Sequence, residues 1–143
     1  MVPGLSDLSY KQRLETLKLP TLQYRRYRGD MIEMFKLSHG YYDEASIEDF
    51  IKFGVNNAGE LRLRGHRYHV NKFRFKKDVR KYSFKCRVTE QWNHLPSAVA
   101  ESPTLNTFKN RLDKLWERDS VMYNSEINIH EITSKRNTRY EIV

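Results

Sequence analysis

TLQYRRYRGDMIEMFKLSHG, residues 21–40, is the stretch that decides the fold class. Tyr24, Tyr27, Met31, Met34 and Phe35 follow the helical period, which lines five large side chains along one face. Gly40 is a natural C-terminal stop. Gly29 lies inside the helix and costs roughly 1 kcal/mol against Ala. Close approach by a neighbouring element is the reason expected for it.

On the N-terminal side, Ser9-Tyr10-Lys11-Gln12 reads as a capping box, in which the Ser hydroxyl and the Gln amide each satisfy a backbone N–H. Tyr10, Leu14 and Leu17 then share one face, and Pro20 stops that helix. On the C-terminal side, Asp43 to Phe53 has the pattern of a short third helix with Ile47, Phe50 and Ile51 inward. FGVNNAGE, residues 53–60, is turn-rich. In LRLRGHRYHV, residues 61–70, Leu61 and Leu63 alternate with Arg62 and Arg64. Phe73 and Phe75 alternate with Arg74 and Lys76. That period predicts a short two-stranded ribbon.

From Ser83 the period is helical again through Phe84, Val88, Trp92 and Leu95, up to Pro96. Ser102-Pro103 has the form of a helix start, with Ser as cap and Pro in the first turn. Leu105, Phe108, Leu112, Leu115 and Trp116 follow as an apolar stripe. The expected architecture is mainly α. It is a small helical domain over residues 1–118 with a short basic two-stranded β-ribbon in the middle, followed by a polar, mobile tail at 119–143.

The chain has 143 residues, enough for one domain with a core that needs no disulfide. Nine Tyr and seven Phe point to an aromatic core. Cys86 is the single cysteine, which excludes a disulfide framework and a Cys-rich zinc site. No apolar run is long enough to span a membrane, and the N-terminus lacks the basic and apolar parts of a signal peptide. The expected compartment is the cytoplasm or the nucleus, not the secretory route.

Net charge is +8, and it is concentrated. Residues 61–87 carry eleven Lys or Arg against one acid, Asp78. A block of this kind suits an anionic partner. Arg64, His66, Arg67, Lys72, Arg74, Lys76, Lys77, Arg80, Lys81, Lys85 and Arg87 are the candidate phosphate contacts. Arg25, Arg26 and Arg28 form a secondary basic patch. The interleaved Phe73, Phe75, Tyr82 and Phe84 could stack on bases. The competing reading is an amphipathic ribbon with its aromatics in the core and its cations in water.

No constellation for catalysis stands out. Tyr41-Tyr42-Asp43-Glu44 superficially resembles the paired-carboxylate metal motif of polymerases, but it follows a helix stop and reads as a solvated loop. His66 and His69 lie in a strand or turn, where residues three apart face opposite sides. Cys86 and His94 have no ligand spacing, and Cys86 has no identifiable His–acid partner. Neither a metal site nor a cofactor is expected.

Taken in order, LSYKQRLETLKLPTLQYRRYRGDMIEMFKL, LRLRGHRYHV, DVRKYSFKCRVTEQWNHLP and SPTLNTFKNRLDKLW resemble the C-terminal segment of reverse transcriptases of animal non-LTR (LINE-like) retrotransposons. The resemblance covers residues 3–116. Its most specific pieces are Leu19-Pro20-Thr21-Leu22, Arg28-Gly29-Asp30-Met31, Arg64-Gly65-His66, Trp92-Asn93 with Leu95-Pro96, and the run from Phe108 to Asp113. The family's polymerase palm and endonuclease domain are missing, so no catalytic aspartates carry over and no enzyme activity is implied. The resemblance implies a non-catalytic segment that binds RNA or DNA with weak sequence specificity. The alternatives are a protein-interaction module packed on the parent's polymerase body, or a non-functional relic of the element.

Overall fold

The computed structural model describes residues 4–45, 47, 51–52, 65–72, 74, 83–117 and 122–123. These residues form five helices in chain order: α1 (Tyr10–Leu17), α2 (Leu22–Ser38), α3 (Phe84–Asn93), α4 (Ser97–Ala100) and α5 (Leu105–Glu117). The mainly helical expectation holds.

Thr21 starts α2 by accepting the Tyr24 N–H on its hydroxyl at 3.1 Å. The five residues that predicted this helix, Tyr24, Tyr27, Met31, Met34 and Phe35, are all buried. α2 is the middle of the fold, in contact with α3 and with α5, and α4 packs on α5. The core is aromatic. Phe35 stacks on Phe108 with ring centroids 4.5 Å apart, Trp92 tilts against Phe108 at 6.0 Å, and Tyr24 meets Trp116 edge-on at 5.6 Å.

Two bidentate ion pairs fasten α2 to its neighbours. Arg87 of α3 donates to both carboxylate oxygens of Asp30 at 2.7 and 2.9 Å. Arg28 donates to both oxygens of Asp113 on α5 at 2.7 and 2.8 Å, and Tyr24 adds its hydroxyl at 3.3 Å. Positions 28 and 30 are about 200° apart around a helix, so they reach opposite neighbours. Burial, with Asp113 close by, pushes the Tyr24 hydroxyl up to about 12.

Several local expectations need correcting. The β-ribbon is not seen: among the described residues there is no strand. Gly65, at φ 91°, opens a tight turn in which His69 N–H bonds His66 C=O at 3.2 Å. The Val70 N–H and C=O are then both taken, at 2.8 Å each, by the side-chain amide of Asn93. The next residue pairs with backbone, Asn71 N–H donating to Lys52 C=O at 2.9 Å. Residues 61–64, 73 and 75–82 lie outside the described residues.

Gly29 does not sit at a close approach, since a Cβ there would meet nothing within 4 Å. The cap of α5 is Thr104, whose hydroxyl accepts the Thr107 N–H at 3.2 Å. Ser102 is buried and donates to Val99 C=O at 2.7 Å instead.

α1 has the expected capping box, with Ser9 N–H to Gln12 Oε1 at 2.9 Å and Gln12 N–H to Ser9 Oγ at 3.4 Å. None of its residues is buried, however, and Tyr10 and Leu17 are 53% and 44% exposed. In the third-helix region, Ile47 N–H bonds Asp43 C=O at 3.2 Å and Ile51 N–H bonds Ile47 C=O at 2.7 Å, with both isoleucines buried. After α5 the chain returns to α2, where Met122 C=O accepts the Thr21 N–H at 2.9 Å. Most of 119–143 lies outside the described residues.

Candidate functional site

Among the described residues, a cluster of polar and aromatic side chains gathers where α2 ends. His39 caps the helix with its N–H on Phe35 C=O at 3.0 Å. Gly40 then takes φ 73° and Tyr41 N–H returns to Lys36 C=O at 3.1 Å. The Tyr41 bond is the 6→1 bond with which a left-handed glycine closes a helix C-terminus. It lays the His39 ring flat on Phe35, centroids 3.8 Å apart, and against Tyr68 at 4.2 Å. His39 Nδ1 lies 3.0 Å from Phe35 C=O and 2.9 Å from Ser38 Oγ. Burial lowers its pKa. Beside it opens a cleft of about 360 Å³ lined by Phe35, His39, Gly40, Tyr41 and Pro103.

Behind Tyr68 the segment 65–71 is bound to α3 by side chains. His66 Nε2 lies 2.9 Å from Trp92 C=O, and Trp92 Nε1 donates to Tyr68 C=O at 2.8 Å. The His66 ring meets Trp92 edge-on at 5.3 Å. Glu101 accepts the Arg67 N–H at 2.9 Å and faces its guanidinium at 3.5 Å. Burial lowers the His66 pKa, against the opposing pull of the Trp92 carbonyl and Glu101.

The candidate site residues fall in different places. His66 is 1% exposed. Arg87 is occupied by Asp30, Arg67 by Glu101, and Arg28 by Asp113. Lys72 and Arg74 are exposed, Lys85 is half-buried, and Arg25 and Arg26 are exposed on α2. Arg64, Lys76, Lys77, Arg80 and Lys81 lie outside the described residues. Tyr42 donates its hydroxyl to Glu33, and that bond holds the Glu33 carboxyl below its usual range. Asp43 and Glu44 are exposed. Among the described residues no three His, Cys, Asp or Glu are grouped to hold a metal, and no helix is long and apolar enough to cross a membrane.

Sequence reasoning passed over His39, Asn93 and Glu101. The signal for His39 was its place before the stop glycine. Asn93 and Glu101 act on backbone 23 and 34 residues away, which no local pattern announces.

No family model matches the chain. No solved structure matches it either. It is 31% identical over 88 residues to a histidine decarboxylase of Vibrio campbellii (strain ATCC BAA-1116). The aligned stretch takes up 59% of this chain and only 22% of that protein, so the chain spans less than a quarter of the relative's length.

This similarity overturns the resemblance to a non-LTR retrotransposon reverse transcriptase. The derived role, an RNA- or DNA-binding segment of such a protein, falls with it, and packing on a polymerase body or relic status gains no support. The misleading motifs have structural explanations. Thr21 is a cap, Met31 and Trp92 are core, Arg28, Asp30 and Asp113 form ion pairs, and His66 and Asn93 hold a turn.

Proposed function

We propose that the chain is a folded helical segment related to part of a histidine-decarboxylase-type protein, and that it supplies packing structure rather than the reacting groups. The observation that carries this reading is the fate of the charged side chains at the helix contacts. Asp30 is taken by Arg87, and Asp113 by Arg28 and Tyr24, so these carboxylates are committed to joining helices. The match to a decarboxylase over 88 residues supports the relationship, and its coverage of 22% of that protein supports a partial role.

Decarboxylating an amino acid leaves an electron pair on carbon. An electron sink must take it up, commonly a carbonyl group held as a Schiff base by a lysine in a dry pocket. Among the described residues no lysine is buried, so none offers that environment. The described residues offer no such lysine, and no catalytic step is assigned to them. One cysteine in 143 residues supports the cytoplasm or nucleus as the proposed compartment.

Two measurements on the purified full chain test the reading. Carboxyl-labelled histidine should release no labelled carbon dioxide above a protein-free control. Urea unfolding followed by tryptophan fluorescence and by far-UV circular dichroism should give coincident transitions. Turnover that scales with protein concentration would assign the reaction to this chain and overturn the packing role. Non-coincident transitions would remove the folded segment itself.

A further inference from the structure

We propose that the turn at residues 65–71 is an acid-sensitive latch, held to α3 by neutral His66 and released when that imidazole takes up a proton. The geometry fixes the neutral tautomer. Nε2 faces the Trp92 carbonyl at 2.9 Å, and a carbonyl oxygen only accepts, so Nε2 carries the hydrogen. The proton must then be added at Nδ1, which is buried and has no hydrogen-bond partner. A cation created there has no protein acceptor on its second nitrogen, and burial keeps the ring away from bulk solvent.

The groups around His66 do not compensate. Trp92 on α3 offers an uncharged ring edge. His69, in the same turn, has its ring centroid 6.4 Å away. Glu101, beyond α4, attracts the imidazolium, but its carboxylate is already engaged by the Arg67 N–H and guanidinium. His39, at the end of α2, is disfavoured as a cation first by burial and then by Arg67 and His66. Burial prevails, and the direction agrees: the His66 pKa lies below its ordinary value.

What the latch holds is the rest of the segment. Trp92 Nε1 donates to Tyr68 C=O, and the Asn93 amide grips Val70 on both sides, so the turn is fastened to consecutive residues at the end of α3. The imidazolium still donates from Nε2, so the burial of its charge is what drives the ring outward, and that movement breaks the Trp92 bond and loosens the entry to that grip. Acid would then expose Val70 and the Trp92 indole, both fully buried in the structure. This device is independent of the packing role proposed above.

Amide hydrogen exchange on the full chain tests it, with rates corrected for the intrinsic pH dependence. The Val70 amide, which donates to Asn93 Oδ1, should lose protection between pH 7.5 and 5. The loss should approach about tenfold for each unit by which the folded-state pKa of His66 lies below the unfolded value. His66→Gln keeps an N–H donor and cannot titrate, so its Val70 protection should be flat over the same range. His39→Gln should retain the wild-type pH dependence. A pH dependence surviving in His66→Gln, or vanishing in His39→Gln, would overturn the proposal. Should His66→Gln fail to fold, the wild-type imidazole resonances decide. His66 must titrate below the ordinary histidine range and in step with Val70 protection, and a normal midpoint would end the idea.

Discussion

Arg87 and Asp30 show what one residue pair decides. Their side chains are 22% and 10% exposed, so water helps neither of them much. Asp30→Ala leaves a guanidinium that must find new partners in a half-dry place. Breaking one side of such a pair should cost about 2–4 kcal/mol, toward the lower part of the range for buried pairs. Urea denaturation would read this as a lower midpoint at unchanged slope. Replacing both residues by apolar ones should cost less than Asp30→Ala alone, since nothing charged stays behind.

The histidines set the pH response at the same scale. Burial depresses both His39 and His66, so the unfolded state binds more protons below its own pKa of about 6.5. Their contribution is complete above that pH and is lost as pH falls through the folded-state values. The melting midpoint should therefore fall between pH 7.5 and 5. A midpoint that rose across that interval would contradict the burial of both rings.

At the scale of the element, α5 and α1 are opposites. α5 buries Phe108, Leu112 and Trp116 against α2 and α4. Trp116→Ala should cost on the order of 3–5 kcal/mol, as large aromatic deletions do. Thr104→Ala removes the α5 cap and should cost about 1 kcal/mol. Circular dichroism melts of the two variants would rank them in that order.

Sequence legibility divides along the same line. The stripes of α2, α3 and α5 were readable because a helix repeats its own period locally. The capping box of Ser9 was readable because both partners lie within three residues. The ribbon is expected from the alternation at 61–64 and 73–76, which apart from Arg74 lies outside the described residues, while the described turn at 65–71 is held by Trp92 and Asn93, both distant in sequence. For α1, periodicity correctly predicted a helix but wrongly implied a buried face. The α5 cap was assigned two residues early, because Ser102-Pro103 has the local chemistry of a start while Thr104 makes the bond. The ion pairs that occupy Arg28, Arg67 and Arg87 were invisible to charge counting, which sees a net sum and not a partner.

For the molecule as a whole, α2 is the element against which α3 and α5 both pack, while α4 packs on α5. Removing residues 4–18 should leave the midpoint of global unfolding within about 1 kcal/mol of the full chain, because no residue of α1 is fully buried. A large loss would mean α1 contributes to the fold by a route other than burial.

The central position of α2 also bears on how quickly the chain can find its structure. The Asp30–Arg87 and Arg28–Asp113 pairs close loops of 57 and 85 residues. Contacts so distant in sequence slow the search. Folding should therefore be slower than for a bundle of sequential hairpins. Met31→Ala on α2 should retard folding, whereas Trp116→Ala, at the far end of the longer loop, should mainly hasten unfolding. Stopped-flow chevrons of the two variants would separate those limbs. Equal effects on both would mean that the last helix joins α2 before the rate-limiting barrier is crossed.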